Sequence, residues 1–206
     1  IFGHDAHFQS FAKAMASGRL HHGWILAGPR GVGKAGFAQE AARMLVDPEN
    51  RYASMVDHHT HPDIIWVQRL PKEAPKEGES ADPDAELKRS IAIDQIRSVQ
   101  HSLTTRPSMG PKRVVIIDAA DDLERGGANA LLKSLEEPPV GTYFMLVSHA
   151  SDRLLPTIRS RCQVMRFEAL GDAEMQQALL QALPQASTSE VDALVRSGRG
   201  LPGQAM

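Results

Sequence analysis

The stretch Gly28-Pro29-Arg30-Gly31-Val32-Gly33-Lys34 constrains this chain more than any other. Gly28, Gly33 and Lys34 satisfy the spacing G-x-x-x-x-G-K. An apolar run over residues 24–27 precedes the loop and reads as a buried strand. A helix-forming run over residues 34–46 follows it. In that strand–loop–helix context, glycines let backbone N–H groups turn onto phosphate oxygens. The helix N-terminus adds positive potential, and a lysine reaches the outer phosphates. The next position calls for the hydroxyl of Ser or Thr, which holds Mg²⁺, and here it is Ala35. The loop has the shape of a nucleotide site and lacks a piece of its chemistry.

The rest of the chain alternates strands with helices up to about residue 169. Phe8, Phe11, Ala12 and Met15 share one face of a helix over residues 4–17. Strands are expected at 64–67, 113–118, 143–148 and 163–167. Helices are expected from about 93 to 103, at 127–137, and briefly around Leu154, Leu155 and Ile158. Arg113-Val-Val-Ile-Ile-Asp118 is a continuous apolar run, the best central strand. Alternation of this kind implies an α/β fold with a mostly parallel sheet. After Leu170 only helices are expected: Asp172 as the cap of one, and a capping box at Ser187 and Glu190 for another. Residues 49–61 are polar and hold His58, His59 and His61; a metal site is one reading, and a solvated loop is the preferred one, because no cysteine or carboxylate cluster completes a ligand set. Residues 71–90 are proline-rich and charged without apolar periodicity, and read as a disordered insertion.

Composition narrows the function. The net charge is −2, which gives no electrostatic argument for nucleic-acid binding by the chain as a whole. A local basic patch would have to come from residues such as Arg106, Lys112 and Arg113. Hydrophobic residues make up 42% and aromatics 5%, so the core is aliphatic. The single cysteine, Cys162, excludes an internal disulfide and suits a reducing cytosol. No run reaches the roughly 20 apolar residues of a membrane span. Ile1 at the start and a Gly/Pro turn at the end suit a piece of a longer protein.

Two more stretches carry chemistry. Asp118 ends the central strand, where nucleotide hydrolases hold Mg²⁺ through water; it also fits an ordinary strand-end carboxylate. Its neighbour, where an attacking water is positioned by Glu, is Ala119. Asp121 is expected to cap the following helix. Residues 153–162 close a short helix on Arg159 and Arg161. A guanidinium there could neutralise charge on a transferred phosphoryl group, including one bound to a neighbouring subunit. It could equally be a solvated surface arginine.

Taken together, Asn129-Ala-Leu-Leu-Lys-Ser-Leu-Glu-Glu-Pro-Pro139, Ser160-Arg161-Cys162, His61-Pro62-Asp63 and Ile93-Asp94-Gln95-Ile96-Arg97 resemble the signatures of bacterial clamp-loader subunits. The likeness spans nearly the whole chain and is stronger to the delta-prime subunits of DNA polymerase III than to the gamma/tau motors. It implies a RecA-like AAA+ P-loop core over residues 1–168 and the start of a small all-α lid over 169–206, with a collar domain beyond. It implies a cytoplasmic protein in a five-subunit ring with gamma/tau and delta, loading a sliding clamp onto primed DNA within the polymerase holoenzyme. Arg161 would act in trans on a neighbour's ATP. Gly28, Gly31, Gly33, Lys34, Ala35 and Asp118 would form a degenerate nucleotide site, with ATP or ADP bound weakly and no cofactor required.

The departures from a motor agree with one another. Ala35 and Ala119 remove two functional groups. His149 stands where motors sense the γ-phosphate, and residues 201–206 lack the lid arginine that motors carry. Related chains carry a four-cysteine zinc module before the His-Pro-Asp strand; none of those cysteines is present, so no zinc is expected. Two other readings compete. One is an active gamma/tau-type ATPase that tolerates Ala35, which the missing glutamate opposes because an oriented water matters more than one metal ligand. The other is a small-molecule kinase, which the Leu-Glu-Glu-Pro-Pro tract opposes.

Overall fold

The structure is a computed structural model that describes residues 4–73 and 85–205. Five strands form one sheet: β1 (Gly23–Ala27), β2 (Ile64–Gln68), β3 (Arg113–Asp118), β4 (Thr142–Ser148) and β5 (Gln163–Arg166), in the order β2-β3-β4-β1-β5. Every pairing is parallel. Parallel neighbours need long crossovers, and helices supply them. These are α2 (Lys34–Val46) with the short α3 (Ala53–Asp57), α4 (Ile93–Ser102), α5 (Arg125–Glu136) and α6 (Pro156–Arg159); α1 (Asp5–Ala16) precedes the sheet.

The strands read as unbroken apolar runs because both faces are covered. Side chains alternate between two cores with the period of two that a strand imposes. Leu26, Val114, Ile116, Met145 and Val147 pack with Phe11 of α1 and Phe37 of α2. Ile25, Val115, Ile117, Phe144 and Leu146 pack on the other side with Ile96 of α4 and Leu131 of α5. The last helices are α7 (Asp172–Ala182), α8 (Thr188–Gly198) and α9 (Pro202–Ala205). They surround a separate small core of Leu170, Met175, Ala178, Leu179 and Val191.

Several local expectations need correction. Asp172 does not cap α7; Gly171 precedes the helix, and its N–H donates to the Glu174 carboxylate at 3.0 Å. The Ser187–Glu190 box is present, with Ser187 N–H donating to Glu190 Oε2 at 2.8 Å. The ends of the proposed insertion are paired. Lys72 N–H donates to Glu86 O at 2.7 Å and Lys88 N–H to Leu70 O at 2.8 Å. These bonds close an antiparallel neck, and the remainder, residues 74–84, lies outside the described residues. Nor is 49–61 a uniformly solvated loop. It holds α3, and His61 is buried, its Nδ1 accepting the Asp63 N–H.

Arg113 is also buried, so it cannot belong to a surface basic patch. Its guanidinium donates to Ser102 O at 2.6 Å and Arg106 O at 3.0 Å, and lies 3.5 Å from Asp63 Oδ1. The Asp63 carboxylate in turn accepts the N–H groups of Ser108 and Met109, each at 2.7 Å. A buried charge persists only where such partners surround it. This pair ties the loop between α4 and β3 to the N-terminal edge of the sheet.

Candidate functional site

The loop after β1 emerges where three strand ends meet. Gly28 N–H donates to Ser148 O at 3.2 Å, and Phe167 N–H donates to Ala27 O at 2.7 Å. A side chain at Gly28 would collide with the Phe167 carbonyl, so the loop can leave the sheet only as glycine. Gly33 precedes α2 with φ +103°, a conformation that a Cβ would strain.

Lys34 turns back onto its own loop. Its Nζ donates to Gly28 O at 2.7 Å and Pro29 O at 2.6 Å. It is 3% exposed, and burial pushes its pKa down to about 8, opposed by the charges of Asp118 and Asp121. Burial raises the Asp118 pKa, opposed by His149, Lys34 and Arg30. Burial and the Lys34 charge lower that of His149. Arg30, Lys34, Asp118 and His149 line one cavity of about 340 Å³ together with Gly31, Gly33 and Ala35. The structure thus brings together five of the predicted site residues, Gly31, Gly33, Lys34 and Ala35 from the loop and Asp118 from the end of β3, with Gly28 bonded to Lys34 at the edge.

The cavity's chemistry is incomplete at two points. Ala35 offers a methyl where a hydroxyl would reach a metal. Ala119 is buried beside Asp118 and has no carboxylate to orient water. Asp121 does not cap α5 as expected. Its carboxylate accepts the Ser148 hydroxyl at 2.8 Å, His149 N–H at 2.6 Å and Ala150 N–H at 3.2 Å, clamping the turn after β4. The lid segment closes the mouth: Pro202 and Gly203 line the cavity, and Gly203 N–H donates to Gly31 O at 2.9 Å. A nucleotide phosphate would have to draw Lys34 off its two carbonyls. Magnesium would find Asp118 as the sole oxygen ligand among positions 35, 118 and 119. The three histidines near residue 60 have separate surroundings: His58 bonds Ser54 O, His59 stacks on Trp66, and His61 is buried. Among the described residues no three His, Cys, Asp or Glu side chains are grouped to hold a metal.

Arg161 sits elsewhere. The backbone where it meets Cys162 packs on the start of β1: a Cβ on Gly23 would lie 3.2 Å from Arg161 O, 3.0 Å from Cys162 Sγ and 3.5 Å from Leu135 Cδ2. The phosphate loop leaves the opposite end of β1, roughly 13 Å of strand away. Arg161 Nη1 donates to Thr157 O at 2.9 Å and Nη2 pairs with Glu136 Oε1 at 2.6 Å. Sequence reasoning missed this partner, although Glu136 lies within the tract it singled out. Burial pushes the Cys162 thiol up to about 12, so it is no nucleophile.

The parallel sheet order, the phosphate loop after β1 and the helical unit over that loop define a RecA-like core of the AAA+ class with an all-α lid. Solved structures agree on the fold. The Thermotoga maritima RuvB Holliday junction branch migration motor matches with a TM-score of 0.61 at 16% identity, covering 99% of this chain and 59% of that one. A gamma subunit-related DNA polymerase III protein of Thermotoga maritima gives 0.51 at 20% identity, over 90% and 57%.

The family model described as DNA polymerase III, delta subunit, matches residues 3–171, and the chain belongs to that family. It is 32% identical to DNA polymerase III subunit delta' of Pseudomonas aeruginosa, over 88% of this chain and 53% of that protein. To the Escherichia coli subunit delta' it is 30% identical, over 97% and 58%. The tau/gamma subunit of Haemophilus influenzae is 27% identical over 98% of this chain and 28% of its own length. The chain therefore spans about half the length of the delta' relatives it matches.

Proposed function

We propose that this chain is the core and lid of a non-hydrolysing, stator-like clamp-loader subunit of delta-prime type. In this reading residues 1–168 form the AAA+ core and 169–206 begin the lid. The full-length protein joins gamma/tau and delta subunits in a cytoplasmic hetero-pentamer and helps to load a sliding clamp onto primer-template DNA. Its own loop is a scaffold that takes ATP or ADP weakly and needs no cofactor or zinc. Its contribution to catalysis is Arg161, directed at ATP on the adjacent gamma/tau subunit.

One observation carries the reading. The arginine of the Ser160-Arg161-Cys162 signature lies at the opposite end of β1 from the chain's own loop, beside Glu136. It cannot serve a nucleotide held there, whereas a phosphate across a subunit boundary suits its position. The two alanines at 35 and 119 support the same division of labour. A gamma/tau-type ATPase is the second reading, favoured by the shared cavity of Lys34 and Asp118.

The test is Arg161→Ala in the full-length protein within a reconstituted ring. An arginine finger contributes about 10³–10⁵ in rate at the site it serves. Only one of several sites is affected, so ring turnover is expected to fall by at least that site's share, and further if the sites fire in concert, while assembly persists. Unchanged turnover removes the trans-acting role. The isolated full-length chain is expected to hydrolyse ATP at background rate, and metal-dependent turnover at motor rates would favour the second reading.

A further inference from the structure

The pair of Arg161 and Glu136 goes beyond a finger arginine, because it says what the arginine does before a neighbour is engaged. The guanidinium is held in two chemically different ways. Its Nη1 is bound by neutral acceptors from its own turn, Thr157 O at 2.9 Å and Ser160 Oγ at 3.3 Å. Its Nη2 is bound by an anion, the Glu136 carboxylate, at 2.6 Å. The neutral contacts fix the direction of the side chain. The carboxylate takes a donor that a phosphate oxygen would take.

Glu136 is itself held in place. It is the last residue of α5, whose Leu135 carbonyl hydrogen-bonds with the His22 ring at 2.9 Å, and Pro138-Pro139 follow after Glu137. Gly23 lets the end of α5 and the Arg161-Cys162 backbone close on β1, which is why the two side chains meet. Both remain partly exposed, 33% for Arg161 and 48% for Glu136. Such a pair is weak and exchangeable, unlike the buried Arg113–Asp63 pair.

We infer that Glu136 is an anionic placeholder: it holds the Arg161 guanidinium in the unengaged subunit and gives it up to the γ-phosphate oxygens of a neighbour's ATP. Glu136 is a positioning residue and touches no reacting atom. The inference rests on the trans role of Arg161 proposed above.

Exchange of one anion for another has a definite kinetic signature. Glu136→Gln keeps the shape and removes the competing charge. An exposed pair is worth about 0.2–1 kcal/mol, so its loss favours engagement by about 1.4- to 5-fold. In a ring reconstituted with the full-length variant, the site served by Arg161 should gain ATP affinity by that factor, so the ring's KM should fall by up to that factor, with kcat moving less. The advantage should shrink at high salt, because screening already weakens the pair in the wild type. Glu136→Asp, which keeps the charge, should stay near the wild-type KM.

The outcomes are separable. If Arg161→Ala leaves turnover unchanged, the trans role fails and the placeholder with it. If Arg161→Ala slows the ring but Glu136→Gln leaves KM unchanged, or raises it, or lowers kcat with rescue by Glu136→Asp, the trans role stands and the placeholder is overturned. A wild-type thermal midpoint for Glu136→Gln, measured alongside, separates a kinetic effect from misfolding.

Discussion

Lys34 is the residue that the sequence describes best and the structure alters most. The motif assigns it to outer phosphates, and the fold occupies it with the carbonyls of Gly28 and Pro29. Its burial has a thermodynamic consequence. The folded pKa of about 8 lies below the unfolded value of 10.5. Between those values the unfolded chain holds a proton that the folded chain has released, so stability rises with pH; below about 8 the full cost of the buried charge is present. We expect a rise on the order of 1–3 kcal/mol between pH 8 and 10.5, flattened in Lys34→Met. Urea denaturation of both proteins across that range reads it, and parallel slopes would show that Lys34 is solvated. Asp121 gives the complementary lesson. Its place three residues after Asp118 looked like a helix cap, and only the neighbouring strand reveals the three donors it serves.

The controlling element is the junction of β1, the phosphate loop and β5. Strand registers place Ala27 beside Arg166 and Ser148, and the backbone of Phe167 folds directly over Gly28. A methyl group there meets a backbone carbonyl, which cannot swing aside as a flexible side chain would. Gly28→Ala should therefore cost at least about 3 kcal/mol, the upper end of ordinary overpacking. A urea midpoint shifted by less than a third of that would mean the β5 exit moves freely. At this scale the sequence was a good guide: the G-x-x-x-x-G-K spacing implied strand, turn and helix in the right order. It gave no sign of Phe167, which is 139 residues further along. The flanks of 71–90 misled for a related reason. Pro71 and Leu87 sit in polar sequence without periodicity, and they pair because the chain ends they join are brought together.

Across the whole molecule, lid and loop behave as one closed unit. Gly203 N–H bonds Gly31 O and so ties the lid to the loop, while Leu170 N–H bonds Gly200 O at 2.8 Å and closes the α7–α9 unit on itself. A nucleotide must displace the lid contact, withdraw Lys34 and accept a site with no hydroxyl at residue 35. Binding stabilises a fold by mass action only when free ligand exceeds the dissociation constant. Thermal titration of the full-length protein with low-micromolar ATP should accordingly move the midpoint by less than about 1 °C, with or without Mg²⁺. A shift of several degrees would establish a working nucleotide site and return the ATPase reading to first place.

Sequence by itself determined the parts governed by local rules. Apolar runs flanked by turns marked the five strands, periodicity marked the main helices, and the identities of Ala35 and Ala119 marked what the cavity lacks. Those features depend on neighbours a few residues away. Tertiary structure decided the rest, because it depends on residues far apart in the chain. It buried Arg113 against Asp63, turned Asp121 toward β4, seated Gly203 on the phosphate loop and set Glu136 against Arg161. Charge pairing and burial act through space, so a string of residues can name the groups but only the packed sheet chooses their partners.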